Sequence, residues 1–121
     1  MKIIDPGHVF ALHSLDGGEP VILPFVKREG LKFPGNIGHH SGTTLQETWR
    51  ASISRLKHLN NQDFDDRNGD AINCLRQAIW LLEQRAAERH GRKLKARWLT
   101  IENESFCEKC GHLECYGQCH D

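Results

Sequence analysis

The sequence predicts an α+β fold: a small N-terminal antiparallel β-hairpin or sheet packed on an αα-hairpin, with a short zinc-knuckle-like tail at the C-terminus. Three observations predict it. Two short apolar runs, residues 8–13 and 21–28, flank a turn; residues 44–90 carry two stretches of helical apolar spacing; and four of the five cysteines fall between residues 107 and 119. At roughly 100–150 residues per domain, a chain of 121 residues holds one domain with a short appendage. The division falls at residue 101: residues 1–101 form the sheet and helical hairpin, and residues 102–121 the cysteine-rich tail.

The strand reading starts at His8-Val9-Phe10-Ala11-Leu12-His13. Asp16-Gly17-Gly18-Glu19-Pro20 supplies turn chemistry, and Val21–Arg28 reads as the return strand of a hairpin. Pro24 has no N–H to donate, so this strand lies at an edge or bulges there. Residues 29–43, with Gly30, Pro34, Gly35, Gly38 and Gly42, read as irregular. Thr44-Leu45-Gln46-Glu47 is a capping box that opens the first helix, on which Leu45, Trp49, Ile53, Leu56 and Leu59 recur at helical spacing. The polar stretch Asn60–Asn68 breaks it. A second helix runs from about Arg67 to His90, with Ala71 or Ile72, Leu75, Ala78, Ile79, Leu82 and Ala86 on its buried face and Gly91 at C′. Cys74 reads as a small core residue. Residues 97–101 read as a further strand.

The formal net charge is zero, which argues against a generally basic nucleic-acid coat. The zero is a cancellation: residues 67–101 carry 8 basic and 3 acidic residues, net +5, and residues 102–121 carry 1 and 5, net −4. So small a basic patch suits one or two compact phosphates better than a polymer, whose affinity depends on many phosphate contacts. No run reaches the roughly 18 apolar residues of a membrane span, and Met1–Gly7 has no apolar signal segment. A cytosolic, reducing setting follows as the expectation, and there clustered cysteines bind metal more often than they pair.

Cys107, Cys110, Cys115 and Cys119 have the spacing C-x2-C-x4-C-x3-C, with His112 and His120 beside them. A Cys-x2-Cys pair followed by Gly111 can place two thiolates on one tetrahedral Zn²⁺; Cys115 with Cys119, or with a histidine, completes the set. Four protein ligands leave no position for water, so the expected ion is structural. The segment Gly38–Thr44 leads into a helix N-terminus and could hold an anion, although most such caps bind only water. His39 and His40 suit hydrogen bonding better than chelation. Arg85, Arg89, Arg92, Lys93, Lys95 and Arg97 crowd the end of the second helix. They complement its negative terminus, and their forks also suit phosphate. Trp49 and Trp80 read as core, with Trp80 near enough to the edge to meet an interface. No acid–base pair or activated nucleophile stands out, which lowers the expectation of an enzyme.

Several stretches together resemble a phage family. They are Asp5-Pro6-Gly7-His8, the Leu15-Asp16-Gly17 turn, Phe25-Val26-Lys27-Arg28, and Gly42-Thr43-Thr44-Leu45-Gln46-Glu47 with Arg50 and Ser54-Arg55-Leu56-Lys57. Asn68 follows, then Leu75-Arg76-Gln77-Ala78 and Glu83-Gln84-Arg85-Ala86. The ordered set resembles the Thoeris anti-defence sponge family, whose helical hairpin is shared with a phage anti-CBASS sponge family. The resemblance covers roughly residues 5–92 and leaves the cysteine tail as an addition. It implies a non-catalytic protein in the cytoplasm of an infected bacterium that sequesters cyclic ADP-ribose signals made by TIR-domain proteins. It also implies homodimers or hexamers with the ligand between protomers, and in some members a second site for cyclic oligonucleotides. By motif match, Arg28 would contact the diphosphate, Asn68 the ribose or base, and Arg85 would add charge and stack on adenine. Phe64, with His58 as second candidate, would be the stacking aromatic, and Arg55 completes the set. Asn68 and Arg85 are 17 residues apart on one helix, about 25 Å, so a pocket using both must be shared by antiparallel protomers. The competing reading is a zinc-knuckle accessory protein binding nucleic acid or another protein; a nucleotide-degrading enzyme ranks below both.

Overall fold

The computed structural model describes residues 1–27, 41–102 and 104. The elements run β1 (Lys2–Asp5), β2 (Val9–Leu12), β3 (Val21–Pro24), α1 (Leu45–Gln62), α2 (Asp66–Arg89) and a 3₁₀ turn, η1 (Ala96–Leu99). They form two units, Met1–Glu47 and Thr48–Asp121. The protein is thus α+β, with a three-stranded antiparallel sheet and two α-helices among the described residues.

The sheet has the order β1-β2-β3. The hairpin expected from residues 8–28 is present as β2 and β3, with Val9 opposite Pro24 and Leu12 opposite Val21. β3 is an edge strand and Pro24 is its last residue, as a missing donor requires. The loop between the two strands is closed locally: Asp16 Oδ1 accepts the Gly18 N–H at 3.0 Å and Gly17 takes φ +77°. β1 is an addition to the sequence reading. It is joined to β2 by Pro6-Gly7, where Gly7 has φ +79° and the His8 N–H bonds Asp5 O at 2.9 Å. Proline then glycine at the central positions is the type II turn pattern. The register places Ile3, Phe10 and Leu23 on one face and Lys2, Ala11 and Ile22 on the other. Phe10 meets Phe25 edge to face at 5.8 Å, and Ala11 is buried.

Gly42-Thr43 belongs to the same unit. Thr43 lies parallel to Phe25, with its N–H on Pro24 O and its carbonyl accepting from Val26 N–H, both at 2.9 Å. Thr44 Oγ1 then accepts the Glu47 N–H at 3.2 Å, the side-chain half of the capping box.

α1 and α2 form the expected antiparallel hairpin, with a tighter turn than the sequence suggests. α1 continues to Gln62, and only residues 63–65 are non-helical, because Asp65 caps α2 by accepting the Arg67 N–H at 2.9 Å. Asn60 closes the turn from the other side: its Oδ1 accepts both the Asp65 N–H and the Asn68 side-chain amide. The charge pair Arg50–Glu83, at 2.8 Å, fixes the register at the far end. Ile53 and Ile79, both fully withdrawn from solvent, sit one turn inside that pair. Burying a side chain of this size contributes about 1.5–3 kcal/mol. α2 ends in a Schellman motif: Gly91 takes φ +63°, its N–H bonds Glu88 O, and the Arg92 N–H bonds Ala87 O.

Two further expectations are corrected. Residues 96–99 form a 3₁₀ turn instead of a strand; they follow α2 after residues 90–95 and have no strand beside them among the described residues. Cys74 is exposed, because it points away from the Leu75–Ile79–Leu82 face of α2. The expected zinc ligands Cys107, Cys110, Cys115 and Cys119, their alternatives His112 and His120, and His39 and His40 lie outside the described residues.

Candidate ligand-binding site

The residues expected to bind ligand divide into two groups on the helical hairpin. Phe64 stands in the turn between the helices, 73% exposed. Asn68 follows one turn into α2, half-buried, donating its side-chain amide to Asn60 at 3.1 Å. These two share one end of the hairpin. Arg85 is exposed near the other end, 17 residues or about 25 Å along α2. Arg55 is exposed on α1, two residues from the buried Ile53 and so on the opposite face. His58 is exposed as well. One chain therefore does not bring these residues into one pocket. Arg28 lies outside the described residues; its neighbour Lys27 pairs with Asp5 at 3.4 Å.

That pair lines a cavity of about 140 Å³ with His8, Val9, Pro24, Phe25 and Ser41. Pockets for nucleotide-sized ligands run to roughly 300–1,000 Å³, so this one accepts a fragment at most.

The polar centre of the helical unit is one that the sequence did not announce. Glu104 has a side chain 0% exposed, although it follows the last regular element by five residues. Its carboxylate accepts from Lys57 Nζ of α1 at 3.4 Å, from both terminal nitrogens of Arg76 of α2, and from the Ile101 N–H at 2.8 Å. Burial works to raise its pKa, but the Arg76 hydrogen bonds, the Ile101 N–H and the charges of Arg76 and Lys57 together hold it below the usual glutamate range. Arg50 performs a related task at the other end, donating to Glu83 at 2.8 Å and to Trp98 O at 2.6 Å. The basic cluster is partly organised too: Arg92 and Lys95 lie 5.4 and 5.8 Å from the Trp98 ring, within cation–π range. Arg50, Lys57 and Arg76 are thereby committed to holding the segment after α2, whereas Arg85 and Arg55 present their charge outward.

Among the described residues no group of His, Cys, Asp or Glu is arranged to hold a metal, and no helix is long and apolar enough to cross a membrane. No protein-family model matches the chain, and no curated protein or solved structure is significantly similar to it.

Proposed function

We propose that the protein binds and sequesters cyclic ADP-ribose signals in the cytoplasm of an infected bacterium, without cleaving them. The reading rests on the ordered motifs shared with the Thoeris anti-defence sponges. The observation that supports it best is the division of the hairpin's candidate side chains between its two ends, exposed Phe64 with half-buried Asn68 at one and exposed Arg85 at the other, too far apart for a pocket within one chain. Such a ligand offers phosphates, a purine face and ribose hydroxyls. An Arg fork, an aromatic ring and an Asn amide answer these three in turn. Arg28 would add a phosphate contact, Arg55 an outer charge, and homodimers or hexamers would complete the pocket. Cyclic oligonucleotides are a further ligand class for such an assembly.

The test mixes purified protein with cyclic ADP-ribose isomers, reads native mass, and then releases the ligand with acid. Intact ligand recovered from the protein supports a sponge. Cleaved ligand would replace it with an enzyme, and no uptake would reject both. Arg85→Ala should lower uptake at least about tenfold, the scale of one charge-assisted contact, with circular dichroism unchanged. Uptake equal to wild type would remove Arg85 from the site.

The tail is proposed as a structural zinc unit held by Cys107, Cys110 and Cys115 with Cys119, His112 or His120. Freshly purified protein should carry one zinc per chain and release it to a chelator as tail thiols become titratable. Five titratable thiols and no metal would refute this.

A further inference from the structure

One corner of the sheet gathers polar side chains that the fold itself leaves unused. Lys2 lies opposite Ala11 and Ile3 opposite Phe10, so regular pairing would set Ile4 against Val9; a bulge sets Asp5 there instead. Bulges at sheet edges re-aim side chains. Here Asp5 lines the cavity described above, together with His8, Lys27 and Ser41, and Val9 and Phe25 give it apolar walls. All of these belong to the Met1–Glu47 unit. Asp5 and Lys27 pair at 3.4 Å, with 42% and 34% of their side chains exposed. That contact engages one carboxylate oxygen, Oδ2, and leaves the ammonium further donors. Among the described residues, Asp5 Oδ1, the His8 ring and the Ser41 hydroxyl have no hydrogen-bond partner.

These groups define a ligand class. Asp5 and Lys27 cancel in charge, so the cavity holds no surplus cation for a phosphate. It offers an acceptor in Asp5, a donor in Lys27, and in Ser41 and His8 groups that do both. A sugar ring presents the matching mixture, hydroxyls that donate and accept around a C–H face. Carboxylates bond ribose hydroxyls in this way in dinucleotide sites. Size agrees: a cavity of about 150 Å³ takes up benzene, so about 140 Å³ accommodates one five-membered ring and excludes a nucleotide.

We infer that this cavity binds a ribose-sized sugar ring, with Asp5 accepting from a cis-diol and Lys27 and Ser41 donating to other ring oxygens. The site uses no side chain of the helical hairpin. It deepens the ligand-binding reading, and rests on it only for which ribose-bearing molecule brings the ring.

Amide shifts of the ¹⁵N-labelled full chain, titrated with methyl β-D-ribofuranoside, test it. Saturable shifts should appear at Val9, Phe25, Lys27 and Ser41, with a Kd of about 1–10 mM, as befits so small a ligand. The 2,3-dideoxy analogue should give none. Asp5→Ala should raise Kd at least about tenfold, the scale of a hydrogen bond to a charged group. Ser41→Ala should raise it about threefold; its hydroxyl holds nothing among the described residues, so this variant decides the matter if Asp5→Ala disturbs the sheet. Inorganic phosphate should shift these amides less than the riboside does at equal concentration. Absence of saturable shifts well above the stated range, equal shifts with the dideoxy analogue, a Kd unchanged in Ser41→Ala and in a folded Asp5→Ala, or a stronger response to phosphate would each overturn the sugar site. Cyclic ADP-ribose separates the two readings. Its uptake without movement of these amides ends the sugar site alone, and riboside binding without its uptake ends the sponge reading alone.

Discussion

Replacing Glu104 with alanine should lower the unfolding free energy by about 3 kcal/mol, read as the shift in a urea transition at pH 7. The figure is the low end of the cost of stranding one partner of a buried ion pair. The low end applies because Arg76 and Lys57 keep side-chain exposures of 22% and 34% and can rehydrate in part. The variant loses more than charge attraction. The Ile101 N–H loses its acceptor, and the segment carrying Trp98 is then fastened to the helices mainly through Arg50. The same carboxylate sets an acid limb. Its folded pKa is lowered, so the stability it contributes is complete above the unfolded value near 4.5 and is lost as pH falls through the folded value. Glu104→Gln keeps an oxygen for Ile101 but has no carboxyl to protonate. Its transition should therefore lose less stability than wild type on going from pH 7 to pH 3. A loss below about 1 kcal/mol for Glu104→Ala, the scale of an exposed pair, would show that the buried cluster does not hold this segment.

The legible parts of the fold were those whose signal is local. The Thr44–Glu47 box, the apolar spacing through Ile53 and Ile79, and Gly91 at the end of α2 each state their structure within one or two turns. The Pro6-Gly7 turn was equally local, but β1 on its far side is four residues long and mostly exposed, so no alternation marked it. Glu104 illustrates the opposite limit. In the sequence it is one of five acids in a net-negative tail. Only the antiparallel register of α1 and α2, which brings Lys57 and Arg76 to one level, makes it a buried anion. Cys74 was misread because a thiol's apolar character outweighed its angle on the helix, which points it away from Ile79. For the candidate site, residue types were readable and so was their separation: Asn68 and Arg85 share α2 and stand about 25 Å apart along it, whereas the hydrogen bond that ties Asn68 to Asn60 appears only in the folded turn.

Gly42→Ala should cost about 3 kcal/mol, felt within the Met1–Glu47 unit. An added Cβ would stand 2.4 Å from the Phe25 carbonyl carbon and 2.5 Å from the Val26 nitrogen. These are backbone atoms, so no rotamer relieves the clash, and the strand must move. Moving it breaks the two hydrogen bonds that flank the site, from Thr43 N–H to Pro24 O and from Val26 N–H to Thr43 O. Overpacking of this kind costs about 1–3 kcal/mol, and each lost bond adds about 1. Glycine is needed here for space, not for a left-handed backbone. Gly69 gives the control: inside α2, a Cβ there meets nothing within 4 Å. Gly69→Ala should therefore stabilise by about 0.5–1 kcal/mol through helix propensity. Amide hydrogen exchange localises the effect. In Gly42→Ala the Thr43 and Val26 amides should lose protection while those around Ile53 and Ile79 keep it. Unchanged exchange at Thr43 would mean that the parallel bridge to Phe25 does not anchor the chain as it enters α1.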